Sequence, residues 1–104
     1  MRKRNNPLRG LPLVHPGALL REDVLPHVSM TKSDIARSLG ISRAQLYALL
    51  AEKAPVTAAM ALRLGRFFGN GPELWLNMQS NYDLEFLART MERELAHIPQ
   101  MKAA

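Results

Sequence analysis

The chain has 104 residues, enough for one domain with a single core and too few for two. Hydrophobic residues make up 47% and charged residues 22%, the balance of an ordinary globular protein, and no apolar run approaches the ~20 residues that cross a bilayer. The absence of cysteine excludes a disulfide framework and a thiolate metal site, and a cytoplasmic location is expected.

The net charge of +5 is unevenly spread. Residues 1–71 carry eleven Lys/Arg against four Asp/Glu, or +7, and residues 72–104 carry three against five, or −2. A basic portion of this kind suits a surface that faces phosphates. Arg2, Lys3 and Arg4 are followed by Pro7, Arg9, Gly10 and Pro12 rather than by an apolar stretch. A signal peptide is therefore not expected, and residues 1–13 read as a basic arm, extended or flexible.

The first helix is predicted to open at His15–Pro16, because proline's missing N–H costs nothing at a helix start. Leu19, Leu20, Val24 and Val28 follow at helical spacing, and Pro26 ends or bends the segment. Thr31 is the expected N-cap of the next helix, with Asp34 adding negative charge to its first turn. Ile35, Ala36, Leu39, Ile41, Leu46 and Leu49 are apolar where two short helices around a turn at Gly40 bury themselves. Gly40 suits the left-handed backbone of that turn. Ser42-Arg43-Ala44-Gln45 matches a capping box that opens the following helix.

After a loop at residues 52–56, Thr57 caps a fourth helix whose buried face is Met60, Ala61, Leu64, Phe67 and Phe68. Gly69 closes it, and Gly71-Pro72-Glu73 opens the last. No strand pattern occurs. The expected fold is all-α, a five-helix helix-turn-helix domain with an extended C-terminal helix.

Residues 31–51 have the layout of a DNA-reading helix-turn-helix, whose second helix enters the major groove. Arg43 lies at the start of that helix, where it can donate two hydrogen bonds to guanine. Ala44 can touch only a thymine methyl, and Gln45 is shared between base reading and capping. Ser42, Tyr47, Lys32, Arg37 and Lys53 are the candidate backbone contacts, which add affinity without sequence information.

The last helix carries two apolar stripes. Leu74, Trp75, Met78 and Tyr82 are expected to pack on the domain. Leu84, Leu87, Met91 and Leu95 are the candidate dimer interface, since so small a domain has little core left to cover them. The expected organisation is an arm at 1–13, a DNA-binding domain at 14–70, a dimerisation segment at 71–98 and a tail at 99–104. Asp23 and His27 are four apart, but Pro26 lies between them and no second ligand cluster accompanies them. With His15 and His97 scattered, neither a metal site, a cofactor nor catalysis is expected.

The sequence resembles the HigA/VapI-type antitoxins, a branch of the repressor-like (Xre) helix-turn-helix family. The resemblance rests on His15-Pro16-Gly17 with Leu20-Arg21-Glu22-Asp23, and on Ala36-Arg37-Ser38-Leu39-Gly40-Ile41-Ser42-Arg43. It continues through Thr57-Ala58-Ala59-Met60-Ala61-Leu62-Arg63-Leu64, Phe68-Gly69, Pro72-Glu73-Leu74-Trp75-Leu76-Asn77-Met78-Gln79 and Tyr82-Asp83-Leu84. It implies a homodimer, built largely through the last helix, that masks a small ribonuclease toxin of the HigB/RelE type. It also implies repression of the operon encoding both, through a palindromic operator on double-stranded DNA. By the motif match Ser42, Arg43 and Gln45 fall on recognition positions and Tyr47 on a backbone contact. The family often has Asn-Gly-Lys after the recognition helix, where this chain has Ala51-Glu52-Lys53. The alternative is a stand-alone regulator of the same fold without a toxin.

Overall fold

The computed structural model describes residues 13–102. Most of the arm expected at 1–13 and the last two residues of the tail lie outside that range. The described residues form helices α1 (Pro16–Leu19), α2 (Lys32–Leu39), α3 (Arg43–Leu50), α4 (Ala58–Phe68), α5 (Pro72–Thr90) and α6 (Glu92–Ala96), with no strand among them.

The His15 side chain caps α1, its Nδ1 accepting a 2.9 Å hydrogen bond from the Gly17 amide, with Pro16 at the first helical position. Beyond Leu19 the backbone opens into a π-helical turn, Leu20–Val24, and then tightens into a 3₁₀ turn, Leu25–His27. Pro26 explains the transition. It has no N–H to donate to the carbonyl four residues back, and its ring displaces that carbonyl, so an α-helix cannot run through it.

Side chains start α2, α3 and α4, and left-handed residues end α2 and α4. The Thr31, Ser42 and Thr57 hydroxyls each accept from the amide three residues on. Gly40 and Gly69 close α2 and α4 with φ of 74°. At the first of these, the Ile41 amide reaches the Ala36 carbonyl and the Gly40 amide that of Arg37. These two bonds satisfy carbonyls that the helix end leaves open.

Leu20, Ile35, Ala36, Leu39, Leu46, Leu49, Leu50, Val56, Ala61, Leu64 and Trp75 make up the buried core, with Met60, Phe67, Phe68 and Met78 packed around it. Ile41 is only half-buried, because it sits in the turn itself. Gly17 lets α1 lie on the end of α3: a Cβ there would overlap the Leu49 carbonyl oxygen. Gly65 does the same for α4, since a Cβ would meet backbone of Asn70 and Pro72. Phe68 packs on Trp75 with ring centroids 5.6 Å apart, and the Trp75 indole N–H donates to Asn70 Oδ1 at 3.0 Å.

Two expectations for the C-terminal segment change. Of the first stripe, Trp75 is buried and Met78 and Tyr82 are half-buried, but Leu74 is 51% exposed. Leu74 precedes Trp75 by one residue, a turn of about 100° around the helix, so both cannot face the core. The single last helix is in fact two. Met91 leaves helical geometry at φ −104° and ψ 16°, beside a Thr90 hydroxyl that donates to the Leu87 carbonyl at 3.4 Å. Such back-bonding competes with the helix ladder and bends it. The described residues hold six α-helices rather than five.

Candidate nucleic-acid interface

The second helix of the pair is fixed at its N-terminus by a complete capping box. Ser42 Oγ accepts from the Gln45 amide at 3.0 Å, and Gln45 Oε1 accepts from the Ser42 amide at 2.8 Å. This settles how much Gln45 has left for other work. Its oxygen already accepts one bond and is held at the cap, so bidentate reading of adenine, which needs both the oxygen and the NH₂, competes with the capping box.

Leu46, Leu49 and Leu50 hold α3 to the core, while Ser42, Arg43, Ala44, Gln45 and Tyr47 are exposed. Five of the first six residues from the cap onward thus face solvent. The helix presents its N-terminal turn, as a major-groove reader does. Lys32, Arg37 and Lys53 are also exposed, but Arg37 has company. Its guanidinium donates to Asp34 Oδ1 at 2.8 Å, and that bond, followed by the Thr31 hydroxyl, holds the Asp34 carboxyl below the usual carboxylate range. Any phosphate that approached Arg37 would compete with Asp34.

Two arginines brace the hairpin, and composition hides them among the basic residues. Arg63 on α4 donates from Nη1 to the Leu39 carbonyl at 2.7 Å and to the Gly40 carbonyl at 3.2 Å. It thereby ties the α2–α3 turn to α4. Arg21 donates from Nη1 to the Leu50 carbonyl at 2.6 Å and to Glu52 at 3.2 Å, while its Nη2 meets Glu22 at 2.6 Å. A cation at the last carbonyls of α3 also suits the negative end of the helix dipole. Glu52 itself has φ of 62°, the backbone that a glycine at this place would adopt freely.

Gln79 and His15 are the two buried polar side chains among the described residues. Gln79 Oε1 accepts from the Val56 amide at 2.8 Å and its Nε2 donates to Asp83 at 3.0 Å, so α5 holds the loop that follows α3. Nothing in the hydrophobic pattern marks Gln79, which lies between the half-buried Met78 and the exposed Ser80. The His15 ring stands edge-on to Tyr82 at 5.0 Å, joining α1 to α5. Asp23 and His27 are exposed on the π and 3₁₀ turns. Among the described residues no three His, Asp or Glu side chains gather.

On the distal half of α5 and on α6, Leu84 is 69% exposed, Leu87 46% and Leu95 44%, with Met91 half-buried. None of these four residues belongs to the buried core or to the residues packed against it. Within the described residues no helix is long and apolar enough to cross a membrane.

No family model matches the chain. It is 39% identical over 75 residues to virulence-associated protein I of Dichelobacter nodosus, covering 72% of this chain and 69% of that protein. It is 32% identical over 71 residues to antitoxin HigA-1 of Vibrio cholerae, covering 68% of this chain and 67% of that protein. Among solved structures, antitoxin GraA in complex with its operator superposes with a TM-score of 0.82 at 31% identity, covering 99% of this chain and all of the other. On these similarities and the geometry of the helix pair, the chain belongs to the HigA/VapI-type antitoxins of the repressor-like helix-turn-helix family.

Proposed function

We propose that the chain is an antitoxin that represses its own operon as a dimer on a palindromic operator and masks a small ribonuclease toxin of the HigB/RelE type. The observation that carries the DNA half is the N-terminal turn of α3. It is locked by its capping box, braced by Arg21 and Arg63, and exposed with Arg43 at its start. A similar fold is known bound to an operator in GraA.

In this reading Arg43 reads a base pair and Gln45 contributes one donor. Ala44 offers only its methyl group to a thymine. Ser42, Tyr47, Lys32 and Lys53 position the protein on phosphates, and Arg37 does so only by leaving Asp34. The second copy is bound through Leu84, Leu87, Met91 and Leu95.

Footprinting on DNA upstream of the gene, with Arg43→Ala in parallel, tests the assignment. The substitution is expected to cost about 1–3 kcal/mol of discrimination at one position per half-site. An equal loss on operator and on random DNA would make Arg43 a phosphate contact only. Toxin masking is tested by co-purification with the product of the adjacent gene and by its loss of ribonuclease activity on binding. If no such product exists, the stand-alone regulator reading replaces the antitoxin one.

A further inference from the structure

Among the described residues, the segment from Glu92 onward lacks cover and α4 lacks a neighbour on its outer side. From Glu92 to Met101 every residue is exposed, including Leu95, Ile98 at 65% and Met101 at 87%. The substantial packing of α6 is with α5, its chain neighbour. Leu95 lies in this short helix and Ile98 in the turn that follows it, where the Ile98 amide reaches the Leu95 carbonyl, and Glu94 precedes Leu95. The result is an apolar edge flanked by an acid.

On the outer side of α4, Leu62 is 63% exposed and stands between two shallow grooves. One is lined by Ser38, Leu39, Arg63 and Phe67, the other by Gly65, Gly69, Asn70 and Pro72, and Leu62 and Arg66 border both. Arg66 makes no ion pair among the described residues. The two surfaces are complementary: an apolar ridge with a free cation, and an apolar edge with a free acid.

Their spacing suits two copies of the chain. Pro72, Leu76, Ser80, Leu84 and Leu87 follow at three- and four-residue steps, so the wall of the second groove continues along α5 into the candidate dimer stripe. The 19 residues of α5 span about 28 Å. If two α5 helices pair antiparallel about Ser80, Leu76 of one meets Leu84 of the other. The far end of each α5 then lies beside the start of its partner's, where Pro72 borders the groove.

We infer that α6 and the turn after it in one protomer seat Leu95 and Ile98 against Leu62 on the partner's α4, with Glu94 facing Arg66. This inference rests on the dimer proposed above and assigns a role to the segment beyond Leu87. It makes the dimer contact reciprocal at both ends.

The chain has no cysteine, so disulfide trapping in the full chain has a clean background. Leu62→Cys and Leu95→Cys variants carrying different tags are mixed, exchanged and oxidised. A disulfide joining the two tags, and absent when either variant is oxidised alone, is the expected result. In a second measurement, Arg66→Glu weakens self-association by roughly two- to thirtyfold and Glu94→Arg in the same chain restores it, the scale of two exposed ion pairs per dimer.

A dimer in sedimentation that yields no mixed disulfide overturns the seating of α6 while leaving the dimer intact. A monomer in sedimentation overturns the dimer reading itself. Protection of Leu62→Cys from alkylation by the co-purified ribonuclease, but not by self-association, would assign the groove to that partner and reject the inference.

Discussion

Glu52 occupies a backbone conformation that its side chain does not favour. With φ of 62° it takes the left-handed place that ends α3. Its amide reaches the Leu49 carbonyl, and the Lys53 amide that of Ala48, the same pair of bonds that Gly40 closes for α2. An L side chain there costs about 1 kcal/mol relative to glycine. The Arg21 contact at 3.2 Å offsets part of that cost, but both partners are more than one-third exposed, where solvent screening leaves such pairs weak. Glu52→Gly relieves the backbone and loses the pair, whereas Glu52→Ala loses the pair and keeps the strain. The glycine variant is therefore expected to be about 1 kcal/mol more stable than the alanine variant in urea unfolding. Equal stabilities would show that the position does not hold a left-handed backbone in solution. Glu52 as a residue type leaves no trace of the sign of φ, and the one signal for it is the resemblance, in which Glu52 stands where the family often has the glycine of Asn-Gly-Lys.

At the scale of elements, the caps were the most legible features. Thr31, Ser42 with Gln45, Thr57, Gly40 and Gly69 all end or start helices where local chemistry requires, because a cap is decided within four residues. What spans distant parts of the chain was not legible. Arg63 and Arg21 reach 24 and 29 residues back or forward to backbone carbonyls, and no residue pattern announces such a contact. The division of the last helix at Met91 also escaped periodicity, which runs through a bend unchanged. The cap of α1 yields a pH prediction. Burial holds the His15 imidazole below its ordinary value of 6.5, against the opposing pull of Glu52 and Asp83. Its Nδ1 must also be unprotonated to accept from Gly17. A depressed folded-state value means that the stabilisation is present above about 6.5 and is lost as pH falls below it. The melting temperature is therefore expected to decline on acidification through that range. His15→Asn, which keeps a capping oxygen, is expected to flatten the part of the decline due to this residue. An identical pH profile in the variant would remove His15 from the account.

For the whole molecule, affinity for DNA follows from charge placement and from dimerisation together, and the two separate experimentally. The basic portion carries +7, yet several of its cations are engaged. Arg21 lies against Glu22 and Glu52, Arg37 against Asp34, and Arg63 against two carbonyls. Lys32 and Lys53 have no ion-pair partner among the described residues and are the stronger candidates for phosphates. Each phosphate neutralised contributes about −0.9 to the slope of log affinity against log salt. A dimer carries two copies of Lys53, so Lys53→Ala is expected to flatten that slope by about 1.8. Arg37→Ala is expected to change it less, since Asp34 already compensates that charge. Leu87→Asp acts through a different quantity. It is expected to halve the sedimenting mass and to abolish operator binding at concentrations where the parent binds, because one recognition helix reaches only one half-site. If Leu87→Asp leaves the mass unchanged, that residue does not hold the dimer together. If Lys53→Ala leaves the slope unchanged while the dimer persists, the lysine that follows Glu52 does not face the duplex.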